Sequence, residues 1–397
     1  MNIGIAGPIE MASLREFFPG INKEYLKLGI GGTAVNLLII GLLNEGHTVT
    51  VFTLDPNVKI KLCIKGIGIK VIFGHFRKSV RLKTVDFCSN EFMQIKNFII
   101  EEKENLDIVN AHWSYEFAIG TILSKVPHII TFRDDAFTIL KLMKQPYRFT
   151  RLCMDFWVRR KALAFSYNSK YLQHLIKLPG VVIPNPVKKS EHLTDTESEG
   201  NTSNFNVFFM SNGWSFRKNP ETAIFAFASL RKENPNIHLF LIGVDFEKNG
   251  AGYHWTKKKV GLDRIHFIGP VPHKKVLEML QTCKLMLHTS REESFGNNLI
   301  EAMVRGIPVI GGEKAGAVPW VLDNGKAGIL VDIEKVSEVA AAMQKILSSE
   351  TLYLEYSERG IMNVAKRFSL EVVTKQYIEA FVVQINNQKT NESFTFI

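Results

Sequence analysis

Residues 290–308, SREESFGNNLIEAMVRGIP, decide the fold class. The apolar run LMLHTS at 285–290 reads as a buried strand that ends where this stretch begins. A polar loop then carries Glu292 and Glu293, and a helical pattern runs from Asn297 to Arg305. A strand that turns through glycine into a helix is half of a βα unit, the building block of parallel sheets. The backbone N–H groups of Phe295, Gly296 and Asn297 fall before the first helical turn, at the positive end of the helix, where an anion such as a diphosphate is stabilised. Gly296 has no side chain to hold that anion off the main chain. Glu301, about one turn into the helix, is placed for a vicinal diol such as ribose, and Glu293 for a sugar hydroxyl on the other side of the anion. Ordinary capping by Glu293 and Ser294, with Glu301 on a solvated face, fits the same residues. On these residues alone both readings stay open.

Outward from this stretch the α/β alternation continues in both directions. FNVFFM at 205–210, HLFLIG at 238–243, IHFIG at 265–269 and PVIGG at 308–312 read as strands, with helices near 220–230 and 274–281. The first half repeats the pattern with NIGIA at 2–6, TVTVFTL at 48–54, DIVNAH at 107–112, HIITF at 128–132 and ALAFS at 162–166. Between the halves the chain turns polar and rich in Gly, Ser and Thr, as linkers are. The expected architecture is therefore α/β, with two Rossmann-like doubly wound parallel-sheet domains facing a cleft. Its expected boundaries are 1–187 for the first domain, 188–204 for the linker and 205–369 for the second domain. Residues 370–397 are expected to form a helix packing back towards the first domain, then a frayed tail.

Composition narrows the class. The 397 residues are 46% hydrophobic and 22% charged, ordinary for a globular protein. No apolar run reaches the ~18–20 residues of a spanning helix. The start, MNIGIAGPIEM, lacks the basic region of a secretory signal, and Cys63, Cys88, Cys153 and Cys283 are too scattered for a disulfide framework or a zinc site. A cytoplasmic protein is expected. The net charge of +10 belongs wholly to residues 1–188, which hold 25 Lys+Arg and 15 Asp+Glu; the remainder holds 24 of each. Residues 141–163, KLMKQPYRFTRLCMDFWVRRKAL, are densest in cations, with interleaved aromatics. That mixture suits either an anionic membrane surface, with peripheral placement on its inner face, or a helix with a core-facing aromatic stripe and a solvated basic face. No reader motif for nucleic acid accompanies the charge. GIGGTA at 29–34 imitates a dinucleotide fingerprint with Asp55 downstream, but no strand immediately precedes it, so nicotinamide is not expected.

In the context ESFGNNLIEAMVRGIPVI, Glu293 and Glu301 resemble the signature of family 4 of the retaining glycosyltransferases, the glycosyl transferases group 1, which have the GT-B fold. GGTAVNLLIIGLLNEGHTVTVFT at 31–53, DIVNAHWSYEFA at 107–118, VVIPNPV at 181–187, the Lys218-Asn219 pair, IHFIGPVP at 265–272 and HTS at 288–290 are similar to the family in the same order. The resemblance implies that Lys218, assisted by Arg217, neutralises the donor diphosphate, which Gly31 and Gly32 approach from the other domain. It implies that Glu301 binds ribose, Glu293 contacts the transferred sugar and the backbone at Val271 meets the base. Phe295, Gly296, Asn297 and the strand-end Gly243 complete the donor-binding set. The resemblance assigns the acceptor side to residues 1–187 and nucleotide-sugar binding to residues 205–369. Where relatives carry a histidine near the reacting sugar this chain has Arg133, which cannot act as a base but can clamp a phosphate or hydroxyl, and His112 stands either as a polar contact on the acceptor side or as a strand-end histidine hydrogen-bonded locally. The Asp-x-Asp metal motif is missing, so no metal or other cofactor is expected beyond the nucleoside-diphosphate-sugar substrate. The implied activity is hexose transfer with retention to a carbohydrate or lipid-linked carbohydrate hydroxyl, as in surface polysaccharide synthesis. A nucleotide-sugar epimerase or hydrolase on the same scaffold, or a catalytically silent binding partner, stays open.

Overall fold

The computed structural model describes residues 1–189 and 204–394, in two compact units, Met1–Pro186 with Leu370–Ile397, and Val187–Ser369. Val187 thus sits with the second unit rather than the first, because its backbone N–H bonds the Phe368 carbonyl at 2.9 Å. Most of the expected 188–204 linker, including Asp195-Thr196-Glu197, the acidic triplet there that comes nearest to an Asp-x-Asp pattern, lies outside the described residues.

In the first unit the strands are β1 (Asn2–Ala6), β2 (Thr48–Asp55), β3 (Leu62–Lys65), β4 (Ile69–His75), β5 (Ile108–His112), β6 (His128–Phe132), β7 (Phe165–Tyr167) and β8 (Val181–Val182). Their order is β3-β4-β2-β1-β5-β6-β7-β8, parallel throughout except where β3 meets β4. The sequence reading passed over β4, although IKVIFGH is apolar and largely buried, and over its antiparallel partner β3, whose LCIK is too short and half-exposed to carry a strand pattern. The inner strands are apolar on both faces because helices cover both, as β5 and β6 show by being buried at every residue. The helix Leu370–Phe394 belongs to this unit, its Val373, Tyr377 and Phe381 entering the same core as Leu38, Ile39 and Leu42 of the helix Thr33–Asn44.

Residues 141–163 divide. Pro146, with its fixed φ, starts a helix, Pro146–Lys161. Tyr147 and Trp157 pack against the core and Arg151 and Arg159 turn inward to Glu116, Asp135 and Asp155, while Phe149 and Phe156 are exposed. Two of the cations counted towards a membrane surface are therefore engaged within the protein.

The second unit has β9 (Phe205–Met210), β10 (Ile237–Ile242), β11 (Ile265–Gly269), β12 (Leu285–His288), β13 (Val309–Gly312) and β14 (Ile329–Val331), all parallel in the order β11-β10-β9-β12-β13-β14. The chain moves outward from β9 to β11, then returns to β12 on the other side of β9. Such a reversal opens a crevice at the carboxyl ends of the two central strands, where open α/β sheets bind ligands. The first unit has the equivalent point between β1 and β5. Among the described residues no helix is long and apolar enough to cross a membrane.

Candidate functional site

The loops leaving β9 and β12 meet at the reversal of the second sheet. Lys218 precedes the helix Pro220–Leu230, and its Nζ donates to Glu293 Oε2 at 2.6 Å. Arg217 Nη1 lies 4.0 Å from the same oxygen and donates to the Glu292 carbonyl at 3.2 Å. His288, the last residue of β12, brings its Nε2 within 3.8 Å of Glu293 Oε2. Burial opposes the charge on Glu293, but Lys218, His288 and Arg217 outweigh it and hold the carboxyl below its usual range. Burial of His288 outweighs the pull of Glu293 and drops its pKa to about 4, so the imidazole is neutral at pH 7. Two cations around one largely buried carboxylate leave a net positive site, suited to a ligand with more negative charge than Glu293 alone supplies.

Several bonds lock this loop pair. Arg291 N donates to the Arg217 carbonyl at 2.8 Å, and the Arg291 guanidinium grips Glu334 with bonds of 2.7 and 2.9 Å. Thr289 Oγ1 donates to the Asn219 carbonyl at 2.7 Å. Trp214 N donates to Asp245 Oδ2 at 2.9 Å, which anchors the start of the Lys218 loop.

Gly296 caps the helix Asn297–Met303 at φ +91°, and a Cβ there would lie 2.8 Å from Leu299 Cδ1 and 3.4 Å from Glu293 Cγ. The turn therefore demands glycine, and its main chain passes beside the Glu293 side chain. The Phe295 side chain is core, edge-on to Phe368 at 5.6 Å, so only its backbone is available to a ligand. Glu301 faces a different partner: His273 Nε2 lies 2.8 Å from Glu301 Oε1. Glu301 is buried rather than on a solvated face. His273 opens the helix His273–Leu280 just beyond half-buried Val271. Gly243 follows β10 at φ +122° with the Ser211 carbonyl where a Cβ would go.

In the first unit, Gly32 starts the helix Thr33–Asn44 at φ +108°, and the Pro8 carbonyl lies 2.1 Å from where its Cβ would stand. Gly31, at φ +101°, faces open space. Residues 7–32 separate β1 from this helix, so the fingerprint geometry is lacking, and Asp55 instead accepts from Gly29 N at 2.7 Å. His112 ends β5 and Arg133 follows the neighbouring β6, and the two meet, with Arg133 Nη2 3.0 Å from His112 Nδ1. Arg133 Nη1 also donates to Asn185 Oδ1. His112 is thus bonded across the sheet rather than locally.

The structure joins Lys218, Arg217 and Glu293, pairs Glu301 with His273, and pairs His112 with Arg133. The sequence reading passed over His288, His273 and Asn185. HTS had marked the strand end that places His288, and VVIPNPV contains Asn185, but neither showed which partner these side chains meet. Among the described residues no three His, Cys, Asp or Glu side chains form a group able to hold a metal ion.

Residues 193–363 match the family model of the glycosyl transferases group 1. A stretch of 130 residues is 32% identical to the N-acetyl-alpha-D-glucosaminyl L-malate synthase of Bacillus anthracis, covering 33% of each chain. Another of 164 residues is 27% identical to the lipopolysaccharide core biosynthesis glycosyltransferase LpsE of Rhizobium meliloti, covering 41% of this chain and 46% of that one. Those matches span less than half of the two relatives. An uncharacterized glycosyltransferase of Methanocaldococcus jannaschii is 23% identical over 91% of this chain and 96% of its own. In structure the chain is similar to the sucrose-phosphate synthase of Thermosynechococcus elongatus, with TM-score 0.75, 17% identity and coverage of 98% and 100%. It is similar also to Anabaena HepE, solved with UDP and glucose, with TM-score 0.67, 18% identity and coverage of 96% and 99%. The fold is that of the GT-B glycosyltransferases.

Proposed function

We propose that this chain, which carries a glycosyl transferases group 1 domain on a GT-B fold, transfers a hexose-type sugar from a nucleoside diphosphate to an acceptor hydroxyl with retention. The observation that carries the reading is the Lys218–Glu293 pair of 2.6 Å at the reversal of the second sheet, with Arg217 beside it. As the bond from the anomeric carbon to the diphosphate oxygen breaks, the leaving group gains charge, and Lys218 and Arg217 stabilise it. The acceptor oxygen bonds to the same face of that carbon, and its proton passes to the departing phosphate. The protein therefore supplies charge and orientation in place of a nucleophile or a base. Glu293 orients the sugar, Glu301 takes the ribose diol, and the turn of Phe295, Gly296 and Asn297 presents its main chain to the diphosphate. Gly31, Gly32, Gly243 and the backbone at Val271 serve the donor, while His112 and Arg133 face the acceptor. The acceptor is a lipid-linked glycan of surface polysaccharide synthesis, and the exposed Phe149 and Phe156 rest on an anionic membrane.

The test is a thermal-shift and mass-spectrometric screen of UDP, GDP, ADP and their sugars with the full chain, with and without anionic vesicles carrying lipid-linked acceptor. One nucleotide at 100 times its dissociation constant is expected to stabilise the protein by about 2.7 kcal/mol. Lys218→Ala should weaken that nucleotide tenfold or more, and product should require acceptor. Equal affinity in Lys218→Ala and the parent, or release of free or epimerised sugar without acceptor, overturns the reading.

A further inference from the structure

The reversal point of the first sheet holds an arrangement of its own. His112 ends β5, and a Cβ built on Gly7, just beyond β1, would lie 3.3 Å from His112 Cβ, so the imidazole rests against bare backbone. Arg133, just after β6, is 6% exposed, and its Nη2 is 3.0 Å from His112 Nδ1. A guanidinium only donates, so Nδ1 must present its lone pair. The ring is neutral, since burial first and the Arg133 charge second push its pKa well down. Its one proton is therefore on Nε2, a donor that is buried and has no partner among the described residues.

Among the other buried polar atoms without a partner in the described residues are Arg133 Nε itself and the Tyr377 hydroxyl, the latter within electrostatic reach of the guanidinium. The guanidinium also lacks a carboxylate among the described residues, although two aspartates follow it. Asp134 accepts from the Tyr115 hydroxyl at 2.8 Å, and Asp135 is taken by Thr138 N and by Arg159, each at 2.8 Å. Asn185 and His112 give Arg133 acceptors but no negative charge. A buried cation without a counter-ion, beside orphaned donors, is costly, and the missing component is an acceptor that bears charge.

We propose that Arg133, His112 and Tyr377 form a receptor for an oxyanion, a phosphate or carboxylate group of a ligand, at the carboxyl ends of the strands β1, β5 and β6. Arg133 supplies the charge and fixes His112 in the Nε2–H tautomer, so that His112 donates to the anion rather than acting as a base. The group belongs either to the diphosphate of a nucleotide or to an acid group of a second molecule.

The test uses the full chain labelled with ¹⁵N-histidine. Its His112 signals are expected to show a bare Nδ1 and a protonated Nε2, and inorganic phosphate or malonate should shift the Nε2–H resonance saturably. Arg133→Lys should weaken phosphate binding tenfold or more. Tyr377→Phe removes only a hydroxyl with no partner among the described residues, so it should fold as the parent does, keep the tautomer and bind phosphate several-fold more weakly. Repeating the titration with UDP, GDP and ADP in Lys218→Ala identifies the source. A nucleotide shift that Lys218→Ala abolishes marks the donor diphosphate, and a phosphate or malonate shift that survives marks a separate acid group. Because phosphate alone is the primary probe, failure of nucleotide binding at Lys218 leaves this result standing. A His112 ring protonated at Nδ1, no response to saturating phosphate or malonate, or equal phosphate affinity in the parent and both variants overturns the proposal.

Discussion

Replacing Glu293 by Gln removes the carboxylate that Lys218 Nζ contacts at 2.6 Å and that Arg217 approaches at 4.0 Å, leaving two cations side by side. The pair is largely buried, with side-chain exposures of 12% for Lys218 and 15% for Glu293. Removing one partner of a fully buried pair costs roughly 3–5 kcal/mol, and partial solvation brings the expectation here to about 2–3 kcal/mol. For a unit of this size each kcal/mol moves the midpoint by roughly 2–4 °C, so the melt should fall by about 5–10 °C. Trp214 and Trp255 lie 5.2 Å apart within the same unit, and their fluorescence reports its unfolding. The decisive comparison is a double-mutant cycle with Lys218→Met. If the loss comes from an uncompensated cation, the double variant is more stable than Glu293→Gln alone, and the coupling energy is about 2 kcal/mol. The freed Lys218 should also bind nucleoside diphosphate more tightly in Glu293→Gln than in the parent, while sugar transfer slows. A coupling energy below about 0.5 kcal/mol, or weaker nucleotide binding in Glu293→Gln, would refute the electrostatic account of the site.

Two further expectations concern the same loops. His288 stays neutral in the folded state down to about pH 4, whereas the unfolded chain takes up the proton near its ordinary 6.5. Below pH 6.5 the unfolded state therefore binds more protons, and stability falls with pH, reaching a loss of about 2 kcal/mol at pH 5 relative to pH 8. Other buried histidines, His112 among them, add to the slope in the same direction, so urea titrations should show a slope that is shallower by this amount in His288→Asn than in the parent; a slope unchanged by that substitution rejects the His288 contribution. Gly296→Ala sets a Cβ 2.8 Å from Leu299 Cδ1 at φ +91°, with an expected cost of about 2 kcal/mol. A melt equal to that of the parent would show that the turn relaxes without glycine.

Much of the architecture is legible along the chain because buried parallel strands are short apolar runs punctuated by glycine and polar loops. FNVFFM, HIITF and DIVNAH each announce a strand to within a residue or two. The strand β3 and the short helix Val80–Val85 do not, because they are short and largely exposed, so neither carries a readable apolar period. The basic stretch 141–163 shows the limit of counting. Spacing alone does not reveal that Arg151 and Arg159 serve internal carboxylates, nor that burial lifts Asp155 to about 6.

The order of strands and helices, the glycines at their turns and the residue types around Glu293 were thus determined by the sequence itself, since each depends on neighbours a few positions away. Which side chains meet was decided only in three dimensions. Lys218 and Glu293 are 75 residues apart and His112 and Arg133 are 21 apart. Each pair meets because crossover connections lay strands from separate parts of the chain side by side, with their carboxyl ends aligned. The charge on Glu293 and the proton on His112 follow from those meetings and from the water they exclude, which one-dimensional spacing does not contain.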